Sequence, residues 1–124
     1  MKNYLIIISL LILIGCGKTD NELAMERGIQ FYEWNLFDKA IKEFSYIVYQ
    51  LQEDKHQLDI NERDLLARAH HNLAVSYAKK EWYDVAESEA KIAFQLNPTD
   101  DNRKILKAIQ GKQKKPEKEK VPKP

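Results

Sequence analysis

The chain predicts an all-α fold: two helix-turn-helix hairpins followed by one closing helix. Three observations carry this. Phe37-Asp38-Lys39-Ala40 and Tyr83-Asp84-Val85-Ala86 open two amphipathic runs with the same order of aromatic, acid and, two residues on, alanine. Ahead of each lies a further helical run that closes in a short turn, through Gly28, Phe31 and Leu36 in the first and Leu73, Ala74, Tyr77 and Trp82 in the second. Beyond Pro98, the residues Ile105, Leu106 and Ile109 form one apolar stripe on an otherwise polar segment. Small residues at helix crossings let two backbones approach, and aromatic rings fill the space between successive pairs.

Taken in order, the first helix is expected over residues 21–34. Asp38, placed as an N-cap, opens a second over 38–56. Asn61 reads as the next cap, with Ile60 and Leu65 as a hydrophobic staple, so the third helix spans 62–80. Asp84 opens a fourth over 84–96. Thr99, Asp100 and Asp101 are cap-competent and acidic, and Gly111 reads as a terminator, so the fifth covers 100–110. A stacked array needs a final helix with one polar face to close its core. The folded domain is therefore expected at 22–111.

The spacing resembles the tetratricopeptide repeat, W-x2-L-G-x2-Y, then A-x3-F, then P. Residues 62–98 follow it through Leu73, Ala74, Tyr77, Ala86 and Pro98, departing at His70 and Ala90. Residues 22–56 follow it through Gly28, Phe31, Ala40 and Phe44, departing at Ala24, Arg27 and Gln52. The resemblance implies a right-handed array of two repeats plus a capping helix. The copies stand 46 residues apart, from Ala40 to Ala86, against a usual period of about 34. The surplus falls between Gln52 and Arg63, where lengthened helices and a short acidic loop would absorb it.

In that family the first helix of each hairpin lines a concave groove that takes a peptide or helix. The resemblance carries this to Met25, Ile29, Tyr32 and Glu33 in the first copy. In the second copy it carries to Arg68, His71, Asn72, Val75 and Lys79. Met25 and Ile29 stand where chaperone-binding members place a carboxylate clamp, so an amphipathic helix fits better than a free C terminus. Met25, Ile29 and Tyr32 are equally readable as core, since two repeats have little groove to spare.

The N terminus has a different character. Lys2 precedes an apolar run from Tyr4 to Ile14, broken only by Ser9, and Gly15-Cys16 follows. That run is about half the roughly 20 residues a membrane span requires, and it has the form of a secretory signal. Leu13-Ile14-Gly15-Cys16 resembles the lipobox of bacterial lipoproteins. The resemblance implies cleavage between Gly15 and Cys16, removal of residues 1–15, and a diacylated Cys16 as the new N terminus; the other reading is an uncleaved signal anchor. Two acyl chains hold a protein stably on a bilayer where one does not. Residues 16–21 would be the tether, and the single cysteine leaves no disulfide framework. Gly17, where some Gram-negative lipoproteins carry a retention Asp, leans towards the outer membrane.

Charge narrows the partners. The chain holds 20 Lys and Arg against 19 Asp and Glu, a balance that speaks against nucleic acid. Residues 112–124 are the exception, with six lysines and two glutamates and only Val121 as a bulky apolar side chain. Such a segment cannot recover its ordering entropy by burial and is expected to be disordered. It reads as a solvated extension, or alternatively as a contact for anionic headgroups or an acidic wall polymer.

Catalysis is not expected. Ser45, Ser76 and Ser88 lie inside helical runs without a partner base, and no Gly-rich phosphate loop is present. His70 and His71 point about 100° apart on a helix and cannot share a metal. No cofactor is expected beyond the lipid on Cys16. Together these readings point to a lipid-anchored interaction module of the bacterial cell envelope, outside the cytoplasm, that binds a protein partner. The competing classes are a surface-exposed lipoprotein that contacts a host or ligand and a periplasmic small-molecule-binding component.

Overall fold

A computed structural model describes residues 17–53 and 57–114. Among the described residues the protein is all-helical. It comprises α1 (Asp20–Glu33), α2 (Phe37–Gln52), α3 (Ile60–Lys79), α4 (Tyr83–Leu96) and α5 (Asp100–Gln113). Gly15 and Cys16, with the rest of the expected signal, lie outside these residues, as do residues 115–124 of the basic tail. No described helix is long and apolar enough to cross a membrane.

Successive helices run antiparallel. Arg27 of α1 pairs with Glu43 of α2 near mid-hairpin, and Tyr32 meets Phe37 at the turn. His70 meets Glu89 across α3 and α4, and Tyr77 stacks on Trp82 where they join. α3 is the hub, touching all four other helices. Its buried residues therefore spread around its surface, through Leu66, Ala67, Ala69, His70, Leu73, Ala74 and Ser76. α2, packed on one side only, shows the ordinary stripe Ala40, Phe44, Ile47 and Leu51.

Two apolar clusters result. One joins α1, α2 and α3 around Met25, Phe44, Ile47 and Leu73. The other joins α3, α4 and α5 around Ala74, Ala86, Ala90 and Ile109. α4 buries only alanines, Ala86, Ala90 and Ala93, which lets it lie close on its neighbours.

The two hairpin turns are built alike. In the first, Leu36 N–H donates to Phe31 C=O at 2.9 Å and Asn35 N–H to Tyr32 C=O at 3.0 Å. In the second, Trp82 N–H donates to Tyr77 C=O and Glu81 N–H to Ala78 C=O, both at 3.0 Å. These are paired Schellman closures, with Asn35 (φ 59°) and Glu81 (φ 62°) in the left-handed region.

Several expected boundaries shift. Asp38 and Asp84 do not cap: α2 and α4 begin one residue earlier, after Leu36 and Trp82, without a side-chain cap. The Schellman turn delivers the chain directly into the next helix, leaving each Asp in the first turn, where a carboxylate suits the helix dipole. Asp59, not Asn61, caps α3, since Asp59 and Glu62 form a reciprocal capping box. Ile60 is consequently 87% exposed and staples nothing, while Leu58 and Leu65 pack against the first cluster. α2 ends at Gln52, residues 54–56 of its expected span lie outside the described residues, and the 20-residue α3 takes up part of the surplus length. α5 continues through Gly111 to Gln113, because Gln110 and Gln113 donate to Glu87 and Asp84 of α4 and hold its last turn down. Lys112 and Gln113, expected in the tail, are thus helical.

Candidate functional site

A trough of about 340 Å³ runs between α1, α3 and the α4–α5 corner. Its positioning starts from Thr99, whose hydroxyl accepts the Asn102 N–H at 3.2 Å and sets the start of α5. Asn102 is then carried inward and buried. Its amide donates to Asn97 C=O at 2.7 Å and Ala93 C=O at 3.3 Å, adding a second bond to carbonyls that already accept the Thr99 and Asn97 N–H groups at the end of α4. Its remaining oxygen lies 2.7 Å from Nδ1 of His71. An amide oxygen only accepts, so His71 carries its proton on Nδ1, and in the neutral ring Nε2 is an acceptor. Asn97 in turn donates to Asp64 at 3.1 Å, tying the corner to the start of α3.

Arg68, exposed on α3, makes no ion pair among the described residues and borders two hollows. The second, about 220 Å³, lies between the starts of α1 and α3 and is lined by Glu22, Met25, Glu26, Ile29 and Leu65. A third, about 340 Å³, opens between the ends of α3 and α5 over Val75, Ala78, Ile105 and Ile109, with Lys79 and Lys112 at its edge.

The nine expected groove residues divide accordingly. Ile29, Arg68, His71 and Asn72 come together along the trough. Val75 and Lys79 line the separate hollow over α5. Met25 is only 2% exposed and belongs to the core, with Asn72 donating to its sulfur at 3.3 Å, so it floors the site rather than presenting to it. Tyr32 packs against the same core edge-on to Phe37, and burial raises its phenol above the ordinary range. Glu33 is exposed at the end of α1 and lines none of these hollows. Met25 is drawn inward where Asn72 of α3 meets it, and Tyr32 where the α1–α2 turn brings Phe37 against its ring.

His71 is half-buried and held by Asn102. His70 packs inside its hairpin with Nδ1 2.6 Å from Glu89. The residues that sequence reasoning did not place in the site are Asp64, Ala67, Asn97, Thr99, Asp101 and Asn102. The signal that could have found Asn102 was its position three residues after the Thr99 cap, facing back along the helix that Asn97-Pro98 ends.

The trough therefore offers a guanidinium, two carboxylates, side-chain amides and an imidazole acceptor around the apolar patch of Ile29 and Ala67. That mixture can satisfy main-chain amides and one apolar side chain at once. It holds no serine or cysteine beside a base. No protein-family model, curated protein or solved structure matches this chain.

Proposed function

We propose that the protein is a lipid-anchored tetratricopeptide-like module that holds a segment of a protein partner beside a bacterial membrane. The observation that carries this is the trough, where side chains from α1 and α3, the leading helices of both hairpins, meet the start of α5. Support for a repeat array comes from the two matching Schellman turns and from α3 packing on both α1 and α5. Support for anchoring comes from the Lys2-to-Cys16 pattern. Only Gly17 to Thr19 separate that cysteine from α1, so at about 3.3 Å per residue the domain stays within roughly 15 Å of the bilayer.

An amphipathic or extended peptide suits the trough. Its apolar side chain would rest on Ile29, a carboxylate would meet Arg68, and its main chain would bond Asn72 and His71 Nε2. The test is solubilisation of membranes followed by purification of the chain and of its Ile29→Ser, Arg68→Glu variant. Both residues are exposed, so helicity and melting should be unchanged. A stoichiometric envelope partner retained by the wild type and lost by the variant is the expected result. A partner retained by both places recognition elsewhere. No partner at all, with labelling of the chain on intact cells, favours the surface-exposed reading.

A further inference from the structure

The chain has two tryptophans, and both stand half out in solvent at one end of the domain. Trp34 (58% exposed) and Leu36 sit on the α1–α2 turn, and Trp82 (52% exposed) on the α3–α4 turn. The two turns meet through an ion pair between Lys80 and Asp38. Lys80 Nζ also lies 4.1 Å over the Trp82 ring, and Lys39 Nζ 5.5 Å over Phe31. α5 ends beside them, since Gln113 of its last turn donates to Asp84 at 2.8 Å. The chain thus leaves Lys114 at this same end, and the ten residues that follow hold four lysines against two glutamates.

Indole rings with adjacent ammonium groups are the side chains that partition best into the headgroup zone of a bilayer, ring inward and charge outward. Trp34 packs edge-on to Phe31 and Trp82 stacks on Tyr77, so each ring is held at its turn with half its surface left to solvent and a cation near by. Glu33, Glu81 and Asp84 flank the patch, and Asp38 is matched by Lys80. Lys39, Lys79, Lys112 and Lys114 outnumber the three flanking carboxylates by one, and the sequence beyond adds four lysines against two glutamates. We propose that this end of the domain is a contact surface for a bilayer rich in anionic headgroups. It is separate from the trough and does not depend on what the trough binds. α1 is 14 residues, about 21 Å, long and starts at the opposite end. A domain held at its Asp20 end must therefore lie along the membrane, or meet a second one, for the tips to touch lipid.

Both tryptophans report on the surface without labelling. The full chain is reconstituted into phosphatidylcholine vesicles and into vesicles containing phosphatidylglycerol, each with brominated acyl chains, and tryptophan quenching is measured. The apolar N-terminal run carries no tryptophan, so quenching reads the tips alone. Expected is quenching in the anionic vesicles that weakens as salt rises. Each of Lys39→Gln and Lys114→Gln should weaken the contact about fivefold. Equal quenching in both vesicle types would overturn the proposal, because contact would then follow from the N-terminal run. Quenching in neither would also overturn it and leave the tips to a protein partner.

Discussion

A Cβ built on Gly28 would stand 2.4 Å from Cε1 of Phe44, inside the distance any real carbon tolerates. The phenyl ring of α2 occupies the space that a side chain on α1 would need. At the corresponding positions of the second hairpin, 46 residues on, the pair is Ala74 and Ala90, both buried. One hairpin solves the crossing with nothing against a ring, the other with methyl against methyl.

Gly28→Ala should therefore destabilise the wild type by about 1–3 kcal/mol through overpacking, despite the better helix propensity of alanine. In a Phe44→Ala background the same change should become neutral or stabilising, by up to about 1 kcal/mol. A double-mutant cycle by denaturant unfolding checks this, and additive effects would show that the two residues do not compete for space.

Glu81 holds a left-handed conformation that costs a residue with a Cβ about 1–2 kcal/mol. Glu81→Gly should raise the melting temperature, with a gain near 1 kcal/mol. Asn35, in the same conformation, tolerates it better, so Asn35→Gly should gain less. A lower melting temperature for Glu81→Gly would mean that the turn is not closed as described.

Asn102→Ala removes the amide that bonds Ala93, Asn97 and His71 together. The two carbonyls keep their backbone partners, so the loss is of three side-chain bonds, which should cost about 1–3 kcal/mol in all. Faster amide hydrogen exchange should appear in α5 and at the end of α4, with α1 and α2 unaffected. Uniform acceleration throughout would show that the corner is not a local latch.

Lys91 chiefly, and Gln110 next, hold the Glu87 carboxyl below its ordinary range by hydrogen bonding. A depressed carboxylate contributes stability that is complete above its unfolded pKa and lost as pH falls through the folded one. Wild type and Glu87→Gln should therefore differ most near neutrality and converge in acid, below the ordinary value of 4.5. A difference that grows on acidification would contradict the sign of the interaction.

All five helices were legible, because the aromatic-acid-alanine opening repeats and the turns between hairpin arms are short. What the sequence concealed was how each helix begins. A cap such as Asp38 and a first-turn acid look the same one residue apart, and only the Schellman closure at Leu36 distinguishes them. Gly111 misled in the opposite way: a glycine can end a helix, but side-chain bonds from its neighbours to α4 carry α5 past it. For the trough, Ile29, Arg68, His71 and Asn72 were carried over from the tetratricopeptide resemblance, and these four line one hollow. Met25 went to the core because an unbranched side chain fills a gap where α3 crosses α1. Asn102 escaped notice because its role depends on a contact between separate helices, which periodicity along one helix does not encode.

Anchoring can be read most directly from the mass of the chain extracted from membranes, with fragmentation of its N terminus. A polypeptide that begins at Cys16 and carries a diacylglycerol thioether on that sulfur is the result expected. A chain that retains Met1 to Gly15, or one that ends in an unmodified Cys16 thiol, would contradict it.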